Sequence, residues 1–194
     1  MYKIENKGMK IAVFCASADK INNIYKEEAR KLGQTIGQMK WHLVYGGTNI
    51  GLMRVVADAT MIFGGDITGI IPECIHKRGV AAKMGELIVV PDMKERKHLL
   101  REGSDAFIAL PGGWGTLEEI TEVITLKQLG QHDKPIVFLN TAGYYDRFLD
   151  FISEAGEEGF ISRNYDQIYL VTDSVEKAIE YIRTYQKQEI KGKY

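Results

Sequence analysis

Short, continuously apolar segments alternate with longer amphipathic segments along almost the whole chain, and this alternation restricts the fold more than any other feature. Residues 10–15 (KIAVFC) and 106–110 (AFIAL) have the length of strands but lack the every-second-residue polarity of a sheet with one wet face. Residues 22–40 instead carry apolar side chains at every third or fourth position, which indicates an amphipathic helix. Apolar strands separated by helices predict a parallel sheet of right-handed βαβ units.

The same pattern divides the chain into predicted elements. Strands are predicted over residues 10–15, 41–45, 66–71, 86–90, 106–110, 135–139 and 167–171. Helices are predicted over residues 22–40, 50–63, 93–102, 116–129, 144–157 and 175–186, with a loop or short helix over 72–85. The predicted fold class is α/β: a doubly wound, Rossmann-like, mainly parallel sheet of about seven strands with helices on both faces. Residues 1–194 fit a single domain, and we expect its ends, 1–9 and 187–194, to be flexible.

Charge and composition exclude several classes of protein. The formal net charge of -1 argues against a nucleic-acid-binding protein, which usually has a basic excess. No apolar run approaches the roughly 18 residues of a membrane span, and residues 1–9 lack a signal-peptide core. With Cys15 and Cys74 as its only cysteines, the chain has neither a disulfide scaffold nor a cysteine-rich zinc site. We therefore expect a cytoplasmic protein without membrane or nucleic-acid partners.

Two glycine-rich turns, YGGTNIG at 45–51 and PGGWGT at 111–116, each lead from a predicted strand into a predicted helix. Glycine permits tight turns and close backbone approach, and a helix N-terminus offers unpaired N–H groups to an anion. We expect Thr116 to cap its helix and to donate its hydroxyl to a phosphate. One such turn is most simply a tight connection, but two at the same edge of one sheet favour a phosphate site.

The usual nucleotide and metal motifs are absent from the sequence. No GxGxxG follows the first strand, no GxxxxGK[ST] occurs, and neither HExxH nor CxxC is present. We therefore expect no metal and no cofactor.

Longer motifs carry a specific resemblance. Residues 111–119 (PGGWGTLEE) match PGGxGTxxE, and residues 93–97 (MKERK) match MxxRK. Together with the YGG…GLM turn at 45–53, they resemble the LOG family of cytokinin riboside 5′-monophosphate phosphoribohydrolases, often mislabelled as lysine decarboxylases. The resemblance covers nearly the whole chain, from Phe14 to Phe160. It implies a Rossmann-like homodimer that hydrolyses the N-glycosidic bond of a nucleoside 5′-monophosphate, releasing ribose 5-phosphate and adenine or an N6-substituted adenine.

The resemblance also implies roles for individual residues. Arg96 and Glu119 would be the catalytic pair, because a carboxylate can stabilise an oxocarbenium-like ribosyl group or deprotonate water, and an arginine can bind phosphate or keep the carboxylate ionised. The substrate would be bound by Ser17, Gly46, Gly47, Lys97, Gly112, Gly113, Gly115, Thr116, Glu118 and Thr125. Without the resemblance, Thr116 and Glu119 would be interpreted as a capping box, and Arg96 with Lys97 as a solvated helix face.

Other interpretations stay open. A nucleotide or molybdenum-cofactor carrier of related fold would use the same glycine turns without turnover, although it has no evident need for Glu119. Lysine decarboxylation would need a Schiff-base lysine with an acidic partner for the pyridoxal nitrogen, and no such arrangement is identifiable. Trp114 is expected either to stack on a base or to cover a partner subunit. Departures from the family pattern, which leave the preferred base open, occur at Thr48, Arg54, Arg78 and Lys94.

Overall fold

The computed structural model describes residues 8–161 and 167–187. Within these ranges the chain forms a sheet of seven strands, all parallel, in the order β4-β3-β2-β1-β5-β6-β7. The strands are β1 (Lys10–Phe14), β2 (His42–Tyr45), β3 (Asp66–Pro72), β4 (Glu86–Val90), β5 (Ala106–Ala109), β6 (Ile136–Leu139) and β7 (Leu170–Thr172). The α/β class and the parallel sheet predicted from the apolar runs are confirmed.

Helices connect successive strands. They are α1 (Asn23–Gln38), α2 (Gly51–Ile62), α3 (Glu73–His76), α4 (Met93–Glu102), α5 (Trp114–Gln128), α6 (Asp146–Glu157) and α7 (Val175–Thr184), with a 3₁₀ turn at Thr141–Gly143 before α6. Polar side chains cap three of them: Asn22 accepts from the N–H of Ile24 at 3.1 Å, and Asp92 and Ser174 do the same for α4 and α7. Such caps satisfy N–H groups that have no partner within the helix.

The chain changes direction across the sheet at β1. This strand pairs with β2 on one side and with β5 on the other, so that Val13 lies opposite both Tyr45 and Ile108. The carboxyl ends of all the strands lie at one edge, and the loops after β1 and β5 diverge there to opposite faces. Ligands of open α/β sheets bind at such a switch point.

Side chains are buried on both faces of the sheet, which explains why the strands are apolar without alternation. One core lies under α1, α2 and α7 and includes Leu43 and Ile108. The other lies under α4, α5 and α6 and includes Phe107 and Phe138.

Some predicted boundaries differ from the structure. Helix α5 begins at Trp114 rather than Thr116, and β7 spans Leu170–Thr172 rather than residues 167–171. The predicted flexible ends lie outside the described residues, apart from residues 8, 9 and 187. Among the helices described, none is long and apolar enough to cross a membrane.

Candidate active site

A cleft of about 320 Å³ opens at the carboxyl edge of the sheet, beside β1 and β5. It is lined by Cys15, Ala16, Ser17, Ala18, Met53, Ile75, Met93, Arg96, Gly113, Trp114, Gly115, Thr116 and Glu119. The cleft therefore brings together six of the predicted catalytic and substrate-binding residues, from the loop after β1, from α4 and from the start of α5: Ser17, Arg96, Gly113, Gly115, Thr116 and Glu119.

Arg96 and Glu119 form a buried ion pair on the floor of this cleft. Arg96 donates through Nη1 to Glu119 Oε1, and each side chain is 5% exposed. The guanidinium also donates through Nε to the carbonyl oxygen of Ile70 on β3, at 3.1 Å. Burial raises the pKa of Glu119, and the adjacent Arg96 opposes that rise. The arrangement places an arginine-paired carboxylate where a bound ligand can reach it.

Gly46 makes room for this arginine. A Cβ at Gly46 would lie 2.5 Å from Arg96 Nη2 and 2.8 Å from the Met53 side chain. Gly47 has a φ of +72° and packs against β3, where a Cβ would lie 3.1 Å from the N atom of Ile70. Both glycines are buried behind the cleft rather than lining it, so the structure places them as supports for the site.

The second glycine turn leads into α5 and forms one wall of the cleft. Gly113 is the N-cap residue, and the helix N–H bonds begin with Leu117, which donates to the Gly113 carbonyl oxygen at 3.0 Å. The N–H groups of the residues from Trp114 to Thr116 therefore have no partner within the helix. A helix start of this kind attracts anions.

The expectation that Thr116 caps this helix is wrong, because the helix already begins at Trp114 and its N-cap makes no side-chain hydrogen bond. Thr116 instead lies buried in the first turn, with its side chain against Gly112; a Cβ at Gly112 would lie 2.6 Å from Thr116 Cβ. The capping-box interpretation of Glu119 also fails, because its carboxylate is paired with Arg96.

The opposite wall comes from the loop after β1 and the start of α2. The Ala16 carbonyl oxygen accepts from the N–H of Leu52 at 2.9 Å, and Asp19 Oδ1 accepts from the N–H of Gly51 at 3.0 Å. Arg54 lies 3.7 Å from the same carboxylate. The first N–H groups of α2 are thus already bonded, whereas those of Trp114, Gly115 and Thr116, residues that line the cleft, have no partner within α5.

Three residues predicted to bind substrate lie outside the cleft: Lys97 and Glu118 line a neighbouring groove between α4 and α5, and Thr125 lies elsewhere on α5. Lys97 donates to Glu118 at 2.7 Å and lies 3.7 Å from Glu122. Thr125 lies further along α5, exposed, and donates to the carbonyl oxygen of Thr121. None of the three lines the cleft that contains Arg96 and Glu119.

Apolar side chains complete the cleft, and the sequence reasoning missed most of them. Met53 lines it from the first turn of α2, and Ile75 and Met93 line it from three residues beyond the ends of β3 and β4. For Ile75 and Met93, that position after a strand is the one signal in the sequence. The thiol of Cys15 lies beside the ion pair. Burial raises its pKa, and Glu119 adds to the rise, so the thiol is held in its protonated form.

Two of the histidines make structural hydrogen bonds away from the cleft. His42 Nε2 lies 2.8 Å from Thr68 Oγ1, and His132 Nε2 donates to the Val123 carbonyl oxygen at 2.7 Å. His98 borders the groove between α4 and α5 rather than the cleft. Across residues 8–161 and 167–187, no cluster of three or more histidine, cysteine or acidic side chains has the geometry to hold a metal ion.

Comparisons with known proteins agree with the motifs. Residues 53–182 match a family model described as "possible lysine decarboxylase". A cytokinin riboside 5′-monophosphate phosphoribohydrolase of Arabidopsis thaliana is 43% identical over 184 residues, which cover 94% of this chain and 86% of the relative. A second Arabidopsis thaliana protein of that name is also 43% identical, over 93% of this chain and 85% of its own length.

Solved structures show the same fold in more distant proteins. The molybdenum cofactor binding protein of Rippkaea orientalis superposes with a TM-score of 0.71 at 23% identity, over 92% of this chain and 98% of that one. The Moco carrier protein of Chlamydomonas reinhardtii has a TM-score of 0.68 at 21% identity, over 91% and 96% of the two chains. These likenesses support the Rossmann-like architecture, whereas the family follows from the closer relatives. On the family model and on relatives that match over most of its length, the chain belongs to the LOG family of cytokinin riboside 5′-monophosphate phosphoribohydrolases.

Proposed function

We propose that this chain hydrolyses the N-glycosidic bond of adenosine 5′-monophosphate or an N6-substituted analogue, releasing the free base and ribose 5-phosphate. The observation that carries the proposal is the ion pair of Arg96 and Glu119, buried on the floor of a cleft whose wall is the open N-terminus of α5. A carrier has no evident need for a buried carboxylate beside the ribose. The names of the relatives support the same activity.

In this proposal the 5′-phosphate binds at the start of α5. The unpaired N–H groups of Trp114, Gly115 and Thr116 donate to its oxygens, and the positive end of the helix dipole favours its charge. Glu119 follows Thr116 by one helical turn, so a phosphate held there brings the ribose towards the carboxylate.

The chemical step needs only a water molecule. The C1′–N9 bond breaks, its electron pair stays with the base, and the ribosyl group gains oxocarbenium character. The Glu119 carboxylate stabilises that positive charge and accepts a proton as the water oxygen bonds to C1′; a proton is then delivered to the departing base. Burial raises the pKa of Glu119 and favours the neutral acid, whereas Arg96 opposes that rise and favours the carboxylate that the step requires.

The experiment is to incubate purified protein with AMP and with N6-isopentenyl-AMP, and to measure base and ribose 5-phosphate separately. We expect equimolar release of both products, and loss of release in Glu119→Gln and Arg96→Ala. Binding of AMP without release, seen as a higher melting temperature, would overturn the proposal in favour of a carrier. Equal release by all three proteins would overturn the site assignment.

We further propose that the protein acts as a homodimer. The end of helix α5 supports this because it carries apolar side chains beyond those in the core: Ile120 and Val123 are buried, whereas Leu126 is only partly covered and Leu129, the C-cap residue, is 49% exposed. Light scattering coupled to gel filtration tests it; a mass near 21.9 kDa would indicate a monomer. A cytoplasmic location stays a prediction.

A further inference from the structure

The carbonyl groups of Leu110, Pro111 and Gly112, which precede the proposed phosphate site at the start of α5, each accept a hydrogen bond from a different donor. Tyr145 Oη donates to the Leu110 carbonyl oxygen at 2.7 Å, and the Ala16 N–H donates to that of Pro111 at 3.1 Å. Tyr144 Oη donates to that of Gly112 at 2.7 Å. The turn is therefore held from outside the helix that it precedes.

Holding these carbonyls matters for anion binding. A carbonyl oxygen carries partial negative charge and repels a phosphate, whereas the N–H groups of the next residues attract it. Rotation of the peptide plane between Gly112 and Gly113 would turn the Gly112 carbonyl and the Gly113 N–H together. It would also disturb Gly113 as the N-cap residue, whose carbonyl oxygen accepts the first hydrogen bond of α5. A donor fixed on the Gly112 oxygen keeps that plane in one orientation.

The two tyrosines are themselves held firmly. Asn140 Oδ1 accepts from the Tyr145 N–H at 2.7 Å, and Asn140 Nδ2 donates to Asp146 at 2.7 Å. The Tyr144 ring packs edge-on against Tyr145, at 5.0 Å between centroids, and against Tyr25 of α1, at 5.6 Å. Tyr145 is 1% exposed, whereas Tyr144 is 43% exposed and is held by its ring contacts and by its hydrogen bond to Gly112. These contacts fix the phenol oxygens relative to the turn.

We propose that Tyr144 is a positioning residue that, through the Gly112 carbonyl, orients the Gly112–Gly113 peptide at the start of α5 for phosphate binding, while Tyr145 holds the Leu110 carbonyl at the beginning of the same turn. The inference rests on the proposed function only in taking the start of α5 as the phosphate site. Neither tyrosine lines the cleft, so both act through the turn rather than on the substrate.

Tyr144→Phe tests this, because it removes the hydroxyl and keeps the ring contacts. We expect its affinity for ribose 5-phosphate, measured by calorimetry, to fall roughly 3- to 10-fold, the usual effect of one hydrogen bond. Affinity for free adenine should stay unchanged, and in hydrolysis KM for the monophosphate should rise while kcat is kept. Tyr25→Phe is the matched control: its ring packs on Tyr144, and we expect no change in either affinity.

The outcomes separate this inference from the proposed activity. Weaker ribose 5-phosphate binding with unchanged adenine binding supports it, even if the wild type releases no base. Equal weakening of both ligands with a lower melting temperature would indicate a merely structural role and overturn it. Unchanged ribose 5-phosphate affinity in Tyr144→Phe, or no binding of ribose 5-phosphate by the wild type, would overturn it as well.

Discussion

Arg96 of α4 and Glu119 of α5, 23 positions apart in sequence, form an ion pair inside the protein, with 5% of each side chain exposed. A charge left alone in such a place costs far more than a surface charge, because its partner and its water are both missing. The pair therefore links the stability of the fold to the chemistry of the cleft.

Arg96→Met should lower the free energy of unfolding by about 3–5 kcal/mol, because the Glu119 carboxylate then stays buried without a partner. Glu119→Gln should lower base release by roughly 100-fold or more, the usual contribution of a general base. Urea denaturation and the product assay measure the two effects.

The matched comparison is Lys97→Met, which breaks a pair in which Glu118 is 51% exposed. We expect it to lower the free energy of unfolding by less than about 1 kcal/mol. Equal destabilisation by Arg96→Met and Lys97→Met would contradict the importance of burial.

Gly112→Ala should disrupt the proposed phosphate site at the start of α5, since its Cβ would overlap the Thr116 side chain and lie 2.6 Å from Thr116 Cβ. Thr116 belongs to the first turn of α5, so the helix start has to move. We expect a loss of about 1–3 kcal/mol in stability, as for overpacking, and loss of ribose 5-phosphate binding. At Gly115 a Cβ meets nothing within 4 Å, so Gly115→Ala should keep the melting temperature of the wild type. A common drop in both variants would rule out the steric explanation.

Lys127 predicts an unusual pH dependence of stability. It is 2% exposed, its Nζ donates to the Ile168 carbonyl oxygen at 2.9 Å, and burial lowers its pKa to about 8. In the unfolded chain a lysine keeps its proton up to about pH 10.4. Between these values the unfolded state binds more protons than the folded state, so this residue adds stability as the pH rises.

Comparison with Lys127→Met isolates the effect. The free energy of unfolding of the wild type minus that of the variant should rise by about 2 kcal/mol from pH 7 to pH 10. Urea denaturation at both pH values measures it. A difference that is constant or falls with pH would show that the folded lysine holds its proton as tightly as the unfolded one.

Trp114 provides an optical test of ligand binding. It is 88% exposed at the rim of the cleft, whereas Trp41, the other tryptophan of the chain, is 8% exposed. We expect ribose 5-phosphate to shift the tryptophan emission to shorter wavelength, since a ligand beside Gly113 and Gly115 displaces water from the indole. The shift should vanish in Trp114→Phe; its persistence there would assign it to Trp41.

The regular elements were predictable because apolar runs and helical spacing are local. The start of α5 was not: Thr116 is a good capping residue, but Gly113 adopts the extended cap conformation three positions before it and lets Trp114 begin the helix. The local sequence does not show which of two nearby N-cap candidates the tertiary contacts select.

The residues of the site show the same contrast between local features, which were predictable, and contacts between distant residues, which were not. The PGGxGTxxE and MxxRK motifs led to Arg96 and Glu119, which the structure brings together. No motif could indicate that Tyr144 bonds to Gly112, 32 residues away, or that Lys127 is buried on a helix where a lysine is expected in water. Such contacts depend on which strands become neighbours, and the amino-acid pattern alone left the strand order open.

The pairing of β1 with β5 has a consequence for synthesis. Ile11 lies opposite Ala106, and Asp105 accepts from the Lys10 N–H at 2.8 Å. In a growing chain, the edge of β1 that pairs with β5 therefore stays unpaired until some 95 further residues have emerged. The entropy cost of closing this long loop is offset only when the contacts between β1 and β5 form. The walls of the cleft belong to the two sides of that junction. Ligand binding during refolding should consequently appear only when the two halves of the sheet join.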